Sequence, residues 1–311
     1  MNNTKLNVLN ALVLTALAAS LAGCGESDLA ETHQELLNDA IDTREASGLG
    51  LGAAQPDTTA SPLPSIDLSQ YNLVFNDEFD GDSLDVLKWD TALWSSDTVI
   101  YEQQQFYVDS LNGQNTLDSP FVFDGSSLKI QAVSTPDEQR AQANEQPFLS
   151  GLLTTRNTFN VQFGYLEASV KLEEGAGIWP SFWMLGSASD GLNPEVYIFE
   201  YDGSKPDSLF HNYNYVDAEG NLRSPGQQEV AVSDLTSGFH TVGLQWSPVE
   251  LLFYINGSPS YRIVGENVPT ENMYLILNLA MGGIWPGPTD SGTPDPASFE
   301  IDYVRVYQLS E

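Results

Sequence analysis

At 311 residues, with 41% hydrophobic and 11% aromatic side chains, the chain can hold one large or two small globular domains with a real core. Its 43 acidic residues against 11 basic ones leave a formal charge of −32. Nothing supplies a phosphate-neutralising stripe, which excludes nucleic acid as a partner, and the acidic field suits a neutral glycan better than a heavily sulfated one.

Lys5 precedes a short apolar run, Val8 to Leu21, which is too short to span a bilayer and reads as a signal peptide. The run ends in Leu21-Ala22-Gly23-Cys24, which resembles a bacterial lipoprotein cleavage box. Residues 1–23 are therefore expected to be removed and Cys24 to be lipidated, anchoring the protein to a bilayer. An ordinary secretory signal and an uncleaved anchor are the other readings. Gly25 rather than Asp follows the cysteine, which fits the outer membrane better than the inner one. Cys24 is the only cysteine, so neither an internal disulfide nor a cysteine-based zinc site is open to this chain.

Residues 24–66 are polar and acidic and lack strand patterning; Gly48 to Pro64, rich in Gly, Ala, Thr, Ser and Pro, reads as a flexible tether. Residues 67–311 are nearly all strand in pattern. Tyr165 to Leu172 alternates, with Leu166, Ala168, Val170 and Leu172 on one face. Ser127 to Val133 and Thr241 to Trp246 alternate likewise. Leu251 to Ile255, then Asn256-Gly257, then Tyr261 to Val264 predicts a hairpin. Met273 to Met281 is a mostly apolar run, as expected of a strand buried on both faces. Many short strands without helical periodicity predict an all-β fold, a β-sandwich of jelly-roll type whose concave sheet forms a cleft.

The stretch from Gly177 to Asp202 carries the chemistry. Trp179 and Trp183 stand upstream of Glu195 and Glu200; aromatic faces bind sugar rings, and a carboxyl pair is what glycosidic cleavage needs. Val196, Tyr197, Ile198, Phe199 and Tyr201 are strand formers, so Glu195 to Glu200 should be extended. Residues five apart on a regular strand face opposite ways. A bulge near Ile198-Phe199 adds one residue and brings both glutamates to one face. Tyr197 shares the Glu195 face by period-two geometry and can donate a hydrogen bond to that carboxylate. Trp285, on a Gly/Pro-rich loop, is expected to face sugar. His211 follows the glutamate strand and is expected to line the cleft, whereas His240 reads as structural.

This segment resembles the active-site strand of glycoside hydrolase family 16, written Glu-x-Asp-x-x-Glu. The resemblance extends through Val74-Phe75-Asn76-Asp77-Glu78-Phe79, Phe239-His240-Thr241-Val242, Asn278-Leu279-Ala280-Met281-Gly282-Gly283 and Asp302-Tyr303-Val304-Arg305-Val306-Tyr307. It implies a concanavalin A-like lectin/glucanase sandwich, with Glu195 as nucleophile and Glu200 as general acid/base. It further implies a laminarinase-like activity: a retaining endo-glycosidase acting on a neutral β-glucan, most simply with 1,3 linkages. No cofactor is implied for catalysis. Glu78 and Asp302 match positions that help bind a structural calcium ion in related enzymes. The middle Asp falls on Tyr197, and Ser169 stands where many relatives carry Arg. A surface glycan-binding lipoprotein that kept the fold and lost turnover is the alternative reading. Either way the expected partners are a polysaccharide and a lipid bilayer, and the expected state is a monomer.

Overall fold

A computed structural model describes residues 65–310 apart from 94–99, 113–115, 188–192, 218–219 and 266. The Cys24 box and nearly all of the expected tether lie outside the described residues. Two sheets carry the fold. The ten-stranded sheet runs from Ser258–Val264 through Glu250–Ile255, His240–Ser247, Gly164–Lys171, Ala297–Leu309, Leu128–Ser134 and Phe148–Ser150 to Gln105–Tyr107. The seven-stranded sheet runs from Leu222–Arg223 through Ser208–Val216, Glu195–Glu200, Ile178–Gly186 and Met273–Met281 to Leu152–Thr154. Sequence-distant strands become neighbours in both, the long-return connectivity expected of a jelly roll.

The alternation read from the sequence sets which side chains meet between the sheets. Leu166, Ala168 and Val170 point inward and are buried with Val242, Leu244, Phe253, Val304 and Val306 from neighbouring strands. The facing sheet contributes Phe182, Met184, Leu275, Leu277 and Leu279. Each such side chain removed from water is worth roughly 1.5–3 kcal/mol, so this layer dominates the stability of the fold. Met273–Met281 is buried at every position, because its outer face is also covered. Asn256 and Gly257 take φ of 50° and 72°, the left-handed pair that a two-residue hairpin loop requires, and Ile255 pairs directly with Ser258. The second hairpin strand starts at Ser258, three residues before the expected Tyr261.

The outer face of the ten-stranded sheet is itself partly covered. Ile66, Leu68 and Tyr71 pack onto Tyr165, Leu252 and Tyr254. The described chain therefore begins on the back of the sandwich, across both sheets from the glutamate strand.

Candidate active site

Glu195–Glu200 lies between Ile178–Gly186 and Ser208–Val216. Phe182 pairs with Phe199 while the next residue, Trp183, pairs with Tyr197, so Ile198 is one residue too many. The other neighbour shows the same slip, Phe210 opposite Glu200 and Asn212 opposite Tyr197. This is the bulge expected near Ile198-Phe199. Val196, Ile198 and Phe199 turn into the core, and Glu195, Tyr197 and Glu200 share the outer face of the sheet.

Both carboxyl groups are buried, each 4% exposed, but in different company. Glu195 Oε2 accepts from the Tyr197 hydroxyl at 3.1 Å and from Asn214 Nδ2 at 2.7 Å. Glu200 Oε1 accepts from the Trp179 indole at 3.3 Å; its Oε2 accepts from Gln227 at 3.0 Å and Asn212 at 3.4 Å. Desolvation outweighs these three donors and, with the nearby Glu195 charge, pushes the Glu200 pKa up to about 7. A carboxyl group that keeps its proton near neutrality has the property required of a general acid, and a second carboxyl group shares its face.

Aromatic rings surround the pair. Trp183 lies flat against Tyr197, centroids 5.1 Å apart and planes 4° from parallel. The Trp183 indole donates to Asn278 Oδ1 at 2.8 Å, and the Asn278 amide donates to the Tyr107 hydroxyl at 3.0 Å. At the Glu200 end, Trp179 is flanked by Tyr101 at 6.1 Å and Trp285 at 5.2 Å, and Trp285 meets Phe210 edge-on at 5.1 Å. Trp285 is thus half-buried among other rings rather than standing free on its loop. The loop is pinned at Gly282, whose φ of +64° and contact with Gln104 leave no room for a Cβ. Asp202, two residues beyond Glu200, is tied into the following turn by Ser204 and Lys205.

One sequence expectation is corrected and another gains no support. His211 does not line the cleft. Its imidazole lies between the sheets, fully buried and 4.7 Å from the Phe253 ring. A carbonyl only accepts, so Nδ1 carries a proton and donates to the Ile198 carbonyl at 2.6 Å, leaving Nε2 to accept from the Ser260 hydroxyl at 2.8 Å. His211 therefore fastens the bulge residue from behind, and burial lowers its pKa to about 4, which keeps it neutral. The cause is parity along its strand: Leu209, His211 and Tyr213 face the core while Phe210, Asn212 and Asn214 face the glutamates.

The second expectation concerns metal. Both oxygens of Glu78 are held by Arg305, at 3.0 and 2.6 Å, and Asn76 adds a third donor at 3.1 Å. The Arg305 hydrogen bonds lower the Glu78 pKa, and any cation there would face a guanidinium. Asp302 sits at the irregularity between Ile301 and Tyr303, two residues along the strand from Val304, which pairs with Asp77. Among the described residues no group of three or more His, Cys, Asp or Glu is placed to hold an ion. The expected structural calcium gains no support from these residues, because the Glu78 carboxylate is already paired with Arg305.

Asn212, Asn214, Gln227, Tyr101 and Phe210 were not singled out from the sequence. The two asparagines left a signal, polar residues at alternate positions of an otherwise apolar run. Gln227 left none, because it reaches Glu200 from a loop 27 residues on.

Comparison with known proteins identifies the family. The model of glycosyl hydrolases family 16 matches residues 92–305. An endo-1,3-1,4-beta-glycanase of Rhizobium meliloti is 27% identical, aligned over 93% of this chain and 64% of its own length. The chain thus spans less than two thirds of that relative. A beta-glucanase of Rhodothermus marinus is 29% identical, over 78% of this chain and 86% of its own. Among solved structures, a non-specific endo-beta-1,3(4)-glucanase superposes with a TM-score of 0.68 at 26% identity, covering 80% of this chain and 95% of that one.

Proposed function

The chain belongs to glycosyl hydrolase family 16, and from that premise we propose that it cleaves internal bonds of a neutral β-glucan, most simply β-1,3-linked, with retention of anomeric configuration. The observation that carries this reading is the bulge, which sets two buried carboxyl groups on one aromatic-lined face. A Glu195 oxygen attacks the anomeric carbon as the glycosidic C–O bond breaks, and the Glu200 proton passes to the departing sugar oxygen. Water then attacks the same carbon, gives a proton to the Glu200 carboxylate, and the C–O bond to Glu195 breaks with its electron pair returning to the carboxylate. No cofactor enters either step. Cleavage should decline as pH rises through about 7, where Glu200 loses the proton it must donate. The glucanase relatives support the substrate class, which the sugar-sized aromatic surface also suits.

The test is laminarin digested by the soluble domain and followed by proton NMR. The first product should carry the β anomer; an α product sinks the reading. Binding without any release of reducing sugar would favour the glycan-binding alternative.

Attachment to the outer membrane through a lipidated Cys24 belongs to the same proposal, and rests on Leu21-Ala22-Gly23-Cys24. The full chain should partition into detergent and the Cys24→Ser variant should not. An unmodified Cys24 in the intact mass of the mature protein would rule the anchor out.

A further inference from the structure

Tyr197 occupies the place of a carboxylate in the active-site pattern, and the structure gives it a definite bond: its hydroxyl lies 3.1 Å from Glu195 Oε2. Its ring has little freedom, being stacked on Trp183, which Asn278 and Tyr107 hold in turn. Burial and the two flanking glutamates raise the Tyr197 pKa well above the ordinary tyrosine value, so the hydroxyl stays a donor. Asn214 donates to the same oxygen at 2.7 Å.

A fixed donor to a nucleophile affects the two half-reactions in opposite directions. In the first, Glu195 begins as a full anion and loses charge as its bond to carbon forms. A hydrogen bond stabilises the start more than the transition state and does not speed that step. In the second, the bond between Glu195 and carbon breaks and the electron pair returns to the carboxylate. Charge grows on the carboxylate at which Tyr197 is already aimed, with no reorganisation needed. On the retaining reading above, we propose that Tyr197 is a positioning residue for the departure of Glu195, speeding breakdown of the glycosyl-enzyme rather than its formation. A carboxylate in the same place would repel the returning charge; the tyrosine attracts it.

The experiment compares wild type with Tyr197→Phe, which keeps the ring and its stack, on 2,4-dinitrophenyl β-laminaribioside, whose leaving group needs no proton. Losing one donor to a charged group should lower kcat about 10- to 100-fold. KM should fall by a similar factor, with kcat/KM held within about threefold, since kcat/KM reports only the first step. Acid-quenched enzyme should carry the sugar adduct in most molecules by intact mass. If kcat and kcat/KM fall together and no adduct accumulates, the proposal is overturned, because a packing defect or a role in the first step would look that way. Should the Phe variant not fold, 3-fluorotyrosine at position 197, a stronger donor of the same shape, must raise kcat on this substrate; an unchanged kcat overturns the proposal equally. Failure of the retaining reading itself would be seen separately, as an α product from wild type.

Discussion

Glu195→Gln should cut hydrolysis of laminarin by about a thousandfold or more while oligosaccharide binding changes little, because loss of a nucleophile removes the covalent route outright. The amide matches the carboxylate in size and can still accept from Tyr197 and Asn214, which both bond to Oε2. Folding should therefore survive, and the aromatic rings proposed to hold sugar are untouched. Calorimetric titration with laminari-oligosaccharides, run beside reducing-sugar assays, separates the two effects. Full activity in the variant would remove Glu195 from its proposed role.

The second large effect is on stability. Glu200 and His211 both resist charging in the fold, and their linkages have opposite sign. The folded Glu200 pKa, about 7, lies above its ordinary 4.5. Between those values the native state holds a proton that the unfolded chain releases, so stability falls as pH rises. The folded His211 pKa, about 4, lies below its ordinary 6.5. Here the unfolded chain takes up the proton first, so stability falls as pH drops through that window. Either shift corresponds to roughly 3 kcal/mol at full extent. Over about pH 4.5 to 6.5 the two slopes oppose each other and should largely cancel. Glu200→Gln should then be more stable than wild type at pH 7 and above, by up to about 3 kcal/mol, and lose that advantage towards pH 4.5. His211→Gln should lose much of its stability at every pH, through the two broken hydrogen bonds, and should lack the acid-side decline that His211 imposes. Urea midpoints for the three proteins from pH 4 to 8 check this. Parallel curves for wild type and Glu200→Gln would show that Glu200 titrates as an ordinary surface carboxylate.

How much of this was legible in the sequence depends on whether the signal was local. Leu166, Ala168 and Val170 announce their strand by alternation, and Asn256-Gly257 announces its turn by the backbone angles it tolerates. The bulge at Ile198 was readable because two glutamates five apart, in a run of strand formers, can share a face only with an extra residue between them. The same bulge hid the role of His211. A register slip on one strand alters which parity of its neighbour meets the glutamates, and within Ser208–Val216 only the alternate placement of Asn212 and Asn214 records it. The ion pair of Glu78 with Arg305 joins residues 227 apart, and the motif containing Glu78 reads the same whether its partner is a guanidinium or a metal. Gln227 and Tyr101 depend on where loops come to rest, which no short pattern encodes.

The seating of Ile66, Leu68 and Tyr71 on the Tyr165–Tyr254 face has a consequence for how the protein works when tied to something. Residue 65 leaves from the back of the sandwich, and the glutamates lie on the opposite side. On the proposed anchoring through Cys24, the attachment point on the domain and the face offered to a polysaccharide are therefore different faces.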